Sequence, residues 1–366
     1  MPIVKLGTST YTMQDLNDKY RDFNSPAFEI LIDGTNIVTA DAVGITLLKV
    51  ESSISREADG LKFVINNAFD PVKRDFQWLS NYFVLGKTIE VKTGYVDQFE
   101  SVFYGIITSV RANFQTDEFP ELIVSAMDLS FKMMNGTKSA IFEKMKFSDI
   151  VKKIASEYGL SATVDDTGEQ KQVVTQNMQS DFHFLEQLAG IVNFDFFIVG
   201  KTLYFRKPLT QTTPVITLEW GQSLRSFSVE ANLSKQVTKV TVFGWDSKQQ
   251  QVIKGTSSQV NKLGSNSKTG KDWMSSIGTF DLQLVDNVDS VGEANKKAEA
   301  ILNQRAMTLI SGYGESIGLP VLQAGRYIKL AHLGKKFDQP YYLQTVTHTI
   351  SRDGYITQFQ VQGNAF

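Results

Sequence analysis

Cysteine is absent from the 366 residues, which excludes disulfides, thiolate catalysis and Cys-ligated zinc and fits a reducing compartment. Histidine is scarce: His183, His332 and His348 fall on different predicted elements, and none stands with a carboxylate at metal-ligand spacing. His348 fits a strand position as a packed or hydrogen-bonded residue. An excess of one charge is also lacking, since 37 Lys plus Arg against 39 Asp plus Glu leave a net charge of −2. A global electrostatic footprint for nucleic acid or an anionic membrane is therefore missing. No apolar run reaches the length of a bilayer span, and the start MPIVKLGTST lacks the basic segment and apolar core of a signal peptide. The expectation is a chain that stays in the cytoplasm until a larger particle carries it. P-loop and dinucleotide fingerprints are missing as well.

What is present is an ordinary globular composition, 42% apolar and 21% charged, in a chain long enough for two or three domains. The 25 Phe and 12 Tyr supply aromatic cores. The most legible stretch is residues 180–208, SDFHFLEQLAGIVNFDFFIVGKTLYFRKP. Asp181 is placed to cap a short helix in which Phe182, Leu185, Leu188 and Ala189 recur at spacings of three and four, and Gly190 ends it or closes its last turn. The period then becomes that of a hairpin. Residues 194–198 lead into a turn where Gly200 is available for a positive φ, 203–205 return, and Pro208 stops the strand.

Residues 1–24 are polar and weakly patterned, which predicts a flexible or partner-ordered arm. Over 25–137, alternation at 28–32, 45–51, 61–65, 86–91, 101–107 and 122–126 predicts a sheet of hairpins, closed or nearly closed into a barrel, with a turn or short helix holding Trp78, Leu79 and Phe83. Residues 138–210 hold an inserted α/β unit: a helix over 147–155 capped by Ser148 and ended by Gly159, then the stretch above. Lys144, Lys146, Lys152 and Lys153 are assigned to a solvated helix face. Residues 211–366 return to strands, with a mobile Ser/Gly/Asn/Lys loop at 254–271 and a helix at 291–309 in which Ala294, Ala298, Ile301, Leu302 and Arg305 keep helical spacing. Strands at 327–330, 341–350 and 355–361 complete this region.

The two β regions echo each other. Gly86-Lys87-Thr88-Ile89-Glu90-Val91 parallels Gly325-Arg326-Tyr327-Ile328-Lys329-Leu330, Phe103-Tyr104 and Val110 parallel Tyr341-Tyr342 and Val346, and Leu122-Ile123-Val124 falls where Ile356-Thr357-Gln358-Phe359 does. Two copies of one unit per chain become six in three chains, a count that lets a threefold assembly meet a sixfold ring.

The central pattern SD-x-x-FL-x-x-LA with its Gly-turn hairpin, carried by Ser180, Asp181, Phe184, Leu185, Leu188, Ala189, Gly200, Leu203 and Phe205, resembles the late control gene D protein family of contractile-tailed phages and the matching hub part of VgrG. So does the later pattern of Gly318 and Pro320, Ala324-Gly325, Tyr342, Val346, His348 and Ile350, then Gly354-Tyr355 and Thr357. The similarity covers about residues 25–362. It implies an α+β, mostly β fold of two tube-like β-barrel domains with an inserted small α/β domain. It further implies a homotrimeric baseplate hub, a pseudo-sixfold ring joining the tail tube to the threefold spike of a phage tail or injection particle, assembled in the bacterial cytoplasm. The implied partners are the spike protein, the tail tube protein, baseplate wedge or LysM-type adaptor proteins, and cargo or DNA passing without sequence readout. Because this chain stops at Phe366 where VgrG continues, the spike tip is expected on a separate chain. Polar strand positions at Lys87, Glu90 and Lys92, and at Arg326, Lys329 and Lys336, are the candidates for facing the lumen.

Catalysis finds little support. Gly314-Glu315-Ser316-Ile317-Gly318 satisfies G-x-S-x-G, with Asp338 and His348 following in hydrolase order, but a nucleophile elbow needs a strand before the serine and a helix after it, and here the predicted order is reversed. Asp165-Asp166-Thr167-Gly168-Glu169 lacks the alternating ligands of a calcium loop, and Glu143, Glu157 and Glu186 are isolated. The expectation is a structural protein with no catalytic residue, cofactor or metal. Alternatives are a tail-associated cell-wall-binding or cell-wall-degrading protein, and a siphophage-type distal tail hub.

Overall fold

The computed structural model describes residues 4–54, 58–116, 119–246, 249–264 and 268–366. With 46% strand and 18% helix, the class is α+β, mostly β. The N-terminal segment is not a loose arm. Thr12 and Asp15 close a capping box on α1 (Met13–Lys19), and Val4, Leu6, Leu16 and Tyr20 are buried against the body. Few apolar residues do this, at spacings too irregular to read as a pattern.

The N-terminal half then contributes β1 (Pro26–Ile32), β2 (Thr35–Asn36), α2 (Ile37–Ala40), β3 (Ile45–Ser53), β4 (Gly60–Ile65), the short pair β5 (Phe69–Asp70) and β6 (Asp75–Phe76), β7 (Thr88–Tyr95), β8 (Gln98–Asn113), β9 (Glu121–Asp128) and α3 (Phe131–Met134). Alternation sets the inward face: in β9, Leu122, Val124 and Ala126 are buried while their neighbours are half-buried.

Next come β10 (Lys138–Met145), α4 (Phe147–Glu157), β11 (Ser161–Val164), β12 (Lys171–Gln179), α5 (Asp181–Val192), β13 (Asp195–Val199) and β14 (Thr202–Arg206). Phe182, Leu185 and Leu188 of α5 pack with Ile150, Val151 and Ile154 of α4 and with Phe196, Leu203 and Phe205 in a separate core. Three local expectations change. Ser180, not Asp181, caps α5, its Oγ accepting from His183 N at 3.3 Å. Gly190 falls in the last turn of that helix, the second of the two expected alternatives, and left-handed Asn193, φ 54°, ends it. Lys146 rather than Ser148 holds the N-cap of α4, where no side chain caps. Lys144 lies in strand β10, not on a helix face.

The C-terminal half contains β15 (Pro214–Glu219), β16 (Leu224–Ala231), β17 (Lys239–Asp246), β18 (Gln251–Ser257), α6 (Gly270–Ser275), β19 (Asp281–Val285), α7 (Val291–Met307), β20 (Ile310–Ile317), β21 (Tyr327–Ala331), β22 (Pro340–Ser351) and β23 (Gly354–Gly363). Ser290 caps α7, and Ala294, Ala298, Leu302 and Ala306 bury its inner stripe; the helix ends at Met307. Of the expected mobile loop, residues 265–267 lie outside the described residues. Residues 254–257 belong to β18, and the segment beyond is tied down: Asn364 donates to Asn261 O at 2.7 Å and accepts from Leu263 N at 2.8 Å, with Leu263 buried.

Thirteen strands form one sheet in the order β16-β20-β23-β22-β3-β4-β9-β8-β7-β1-β2, with β21 and then β15 branching from β22. Among the described residues no pairing closes either half into a barrel. In place of two closed tubes there are two open halves welded edge to edge, because residues 345–350 of β22 pair antiparallel with 48–53 of β3.

The halves share one topology, β1-β7-β8-β9-β4-β3 against β15-β21-β22-β23-β20-β16. Even the irregularities correspond. A register shift between Ile45 and Leu47 in β3 matches one between Leu224 and Ser226 in β16, and a shift between Ile107 and Ser109 in β8 matches one between Leu343 and Thr345 in β22. Gly86 N donates to Ile107 O as Gly325 N does to Leu343 O, and Ile107 N to Lys87 O as Leu343 N to Arg326 O, each at 2.9 Å. This register places Ile106 opposite Tyr342 in the comparison, two residues from the expected match of Tyr104. One difference is fundamental: β1 runs antiparallel to β7, whereas β15 runs parallel to β21.

Candidate functional site

Several motif residues, among them Gly325, Tyr342, His348 and Tyr355, lie where the two halves and the inserted unit meet. Val50 of β3 lies opposite His348 of β22. His348 is buried; its Nε2 lies 3.1 Å from Leu322 O and must donate there, so Nδ1 accepts, 2.9 Å from Tyr355 Oη and 3.1 Å from Thr357 Oγ1. Burial holds this imidazole neutral, with its pKa lowered to about 4. Tyr355 Oη also meets Thr93 Oγ1 at 2.9 Å, so one hydroxyl ties β7 of the first half to β22 and β23 of the second. Tyr95 adds a bond to Gly318 O at 2.9 Å. Pro320 is buried nearby, and Gly354 makes the β22–β23 turn at φ 106°.

The inserted unit docks on the same region. Tyr342 and Tyr327 stack at 4.6 Å, Tyr342 Oη donates to Asp195, Tyr327 Oη donates to Pro208 O at 2.6 Å, and Arg206 donates to Gly325 O. Burial raises Asp195 to about 6 against the pull of Tyr342 and Arg206. Gly200 turns the β13–β14 hairpin at φ 60°, where an added Cβ would stand 2.2 Å from Val4 O. At the head of α5, Asp181 receives Gln176 Nε2 at 2.9 Å, Tyr158 Oη at 2.6 Å and Lys138 Nζ at 2.9 Å, while Phe184, Leu185 and Leu188 are core. These residues lock elements together, although Arg206 Nε and Gln176 Oε1 are buried without a hydrogen-bond partner.

The lumen candidates divide. Glu90 is buried and accepts from Ser101 Oγ at 2.7 Å, and Arg326 is buried with a bond to Ser9 O at 3.3 Å. Lys87 and Lys92 are half-buried, paired with Asp33 at 3.3 Å and Glu29 at 2.9 Å. Lys329 and Lys336 are exposed, Lys336 lying 5.7 Å over the Trp273 ring.

The hydrolase constellation is not assembled. Ser316 is fully buried and donates to Ile317 O and Thr357 O, Asp338 accepts from Leu333 N, and the ring nitrogens of His348 are used as above. A cleft of about 730 Å³ opens between the inserted unit and α7, lined by Asp165, Glu169, Lys171, Glu293, Lys296 and Lys297 among others. Lys171 there pairs with Glu293 and with Asp289 at 3.0 Å, and Ser290 donates to Glu169. Among the described residues no group of three metal-ligating side chains occurs, and no helix is long and apolar enough to cross a membrane.

The sequence reading missed the weld itself. Ser52 and Val346 are 294 residues apart, and strand pairing at that distance leaves no local signal. It also missed the pair of half-buried Asp59 and buried Asp128, where desolvation raises both carboxyls, Asp128 to about 6.

A family model described as the Alg8 N-terminal domain matches residues 23–352; it is not the late control D family that the motifs resemble. No curated protein matches the sequence. Among solved structures, the 43 kDa tail protein of prophage MuSo2 from Shewanella oneidensis is similar with a TM-score of 0.69 at 14% identity, over 92% of this chain and 98% of that one. A tail protein from Neisseria meningitidis gives 0.68 at 16% identity, over 92% and 96%. An Escherichia coli protein described as a component of the type VI secretion system, structurally similar to phage T4 tail proteins, gives 0.55 at 14%, over 91% and 76%. At these identities the likeness is one of fold.

Proposed function

The chain belongs to the Alg8 N-terminal domain family, and from that premise and the fold it shares with tail proteins we propose that it is the structural baseplate hub of a contractile tail or injection particle. Three copies would form a pseudo-sixfold ring joining a sixfold tail tube to a threefold spike. The observation that carries this reading is the doubled six-strand unit, with matching order and matching bulges, already joined to its twin within one chain. A structure that repeats its own motif once is built to continue the repeat across a symmetric assembly. The two units correspond to tube-like domains over 25–137 and 211–366, curved into a ring by assembly rather than closed singly, and 138–210 is the inserted domain braced against them. Lys329 and Lys336, with Lys87 and Lys92, are the remaining candidates for a lumen that passes cargo or DNA without reading it. Spike, tube and wedge or adaptor proteins are the partners, assembled in the cytoplasm and resident in the baseplate.

Light scattering behind a sizing column, with and without the spike chain from the same gene cluster, tests the proposal. A mass of three chains, alone or on adding spike, supports it. A monomer indifferent to spike and tube that releases products from peptidoglycan contradicts it and favours the cell-wall enzyme.

A further inference from the structure

The weld between the halves uses two surfaces, and each has an equivalent that is bare. On one side, β22 is a long strand: 340–342 pair with β21, and 345–350 pair with β3 on the same edge. Its counterpart β8 pairs with β7 over 98–106, but among the described residues the same edge of 109–113 has no partner strand. On the other side, β3 pairs with β4 and β22, whereas its counterpart β16 pairs with β20 and offers its outer edge to solvent. Leu224 is engaged by the turn before it, where Gly221 N donates to its carbonyl, but residues 225–231, without proline, leave an edge that among the described residues has no partner strand and forms a template for another strand.

We propose that the outer edge of β16 in one copy of this chain pairs antiparallel with residues 109–114 of a second copy, repeating between chains the weld seen within one. This rests on the hub reading above and names the interface that would build its ring. The shared bulges fix the register. Thr345 opposite Ser53 becomes Ser109 opposite Asn232, Val346 opposite Ser52 becomes Val110 opposite Ala231, and Thr347 opposite Glu51 becomes Arg111 opposite Glu230. The next pairs are Ala112 with Val229, Asn113 with Ser228, and Phe114 with Phe227.

The side chains fit that register. Arg111 and Glu230 are both exposed; among the described residues Arg111 has no ion pair, and Glu230 accepts only from Asn232 Nδ2, at 2.8 Å. The proposed pairing sets them face to face, a favourable cross-strand pair. Phe114 is 65% exposed and edge-on to Phe69 and Phe76, an aromatic cluster at the strand end that Phe227 would join. The two edges differ in kind, so the contact is head-to-tail and continues from chain to chain until the ring closes.

Absence of native cysteine makes the test clean. Directly opposed residues of an antiparallel pair lie about 4.5–5.5 Å apart at Cα, within disulfide range. The full chain carrying Arg111→Cys and Glu230→Cys, oxidised at rising chain concentration, is expected to give interchain disulfides that close at three chains, whereas Arg111→Cys with Ser228→Cys, two residues out of register, gives at least tenfold less. Charge reversal is the second arm: Arg111→Glu or Glu230→Arg alone moves the association midpoint to about fivefold higher chain concentration, and the double reversal recovers it. Wild-type chain that reaches three copies while the in-register pair fails to cross-link overturns the pairing and leaves the hub reading standing. In-register cross-links that close at another number keep the pairing and overturn the threefold ring. Absence of cross-links at every concentration overturns the pairing.

Discussion

The two halves of this protein use one strand order, yet their matching positions live in different surroundings. Gly86 and Gly325 both adopt left-handed φ, 89° and 81°, and donate equivalent hydrogen bonds. Around Gly86 there is open space, whereas a Cβ on Gly325 would meet Phe197 at 2.9 Å and Arg206 at 3.0 Å. Ile106 occupies the place in β8 that Tyr342 holds in β22, but Ile106 packs against the first core of the inserted unit while Tyr342 is clamped by Tyr327 and Asp195. The backbone plan is kept and the surroundings are specialised. The first half keeps a free edge, and the second uses that position to hold the chain together.

Substitution breaks the comparison most severely at its most specialised position. Tyr342→Ala removes a buried ring and the hydroxyl that serves Asp195, with an expected loss of about 4 kcal/mol against about 3 kcal/mol for Ile106→Ala, measured as urea midpoints. Near-equal losses would mean that the second half is no more specialised than the first.

Acid is the next lever. His348 has its folded pKa lowered to about 4 from an ordinary value of 6.5, so its contribution is fully present above pH 6.5, is lost as pH falls toward 4, and changes no further below that. The full loss is about 3 kcal/mol. Asp128 in the first half runs oppositely: raised to about 6 by burial, it takes up its proton earlier when folded, so its effect is to favour the fold as pH falls from 6 toward 3.8. His348→Asn should therefore flatten the loss of stability between pH 6.5 and 4, and Asp128→Asn should steepen it. The same urea midpoints taken at pH 7 and 4.5 decide.

The paired glycines come third. Gly325→Ala carries both backbone strain and collision, about 2–3 kcal/mol, where Gly86→Ala carries strain alone, about 1 kcal/mol. Smallest is Lys87→Ala, whose half-exposed pair with Asp33 leaves thermal stability within about 0.5 kcal/mol of the parent.

Helix α7 was legible because Ala294, Ala298, Ile301, Leu302 and Arg305 keep helical spacing over more than three turns. The Gly86 and Gly325 strands betrayed the repeat because a turn glycine followed by alternating residues is a local signature. The caps of α4 and α5 fall one or two positions before the expected ones, since Ser148 and Asp181 are capping residue types that here occupy the first helical turn. The docked N-terminal segment and the Asn364 clasp on Asn261 and Leu263 were illegible, because their partners lie about a hundred residues or more away. The weld of β3 to β22 belongs to the same class: each strand was visible, and their meeting was not. As for the site, Glu90 and Arg326 are buried and hydrogen-bonded within the chain, and strand alternation alone does not tell such a position from a solvated one.

Amide hydrogen exchange by mass spectrometry on the full chain, dilute and then assembled with spike, tests the central claim most directly. The account predicts slow exchange over 345–350 in both states, and exchange over 109–113 and 226–231 that is fast when dilute and slow on assembly. Edges that stay equally fast in an assembly of three chains would contradict it.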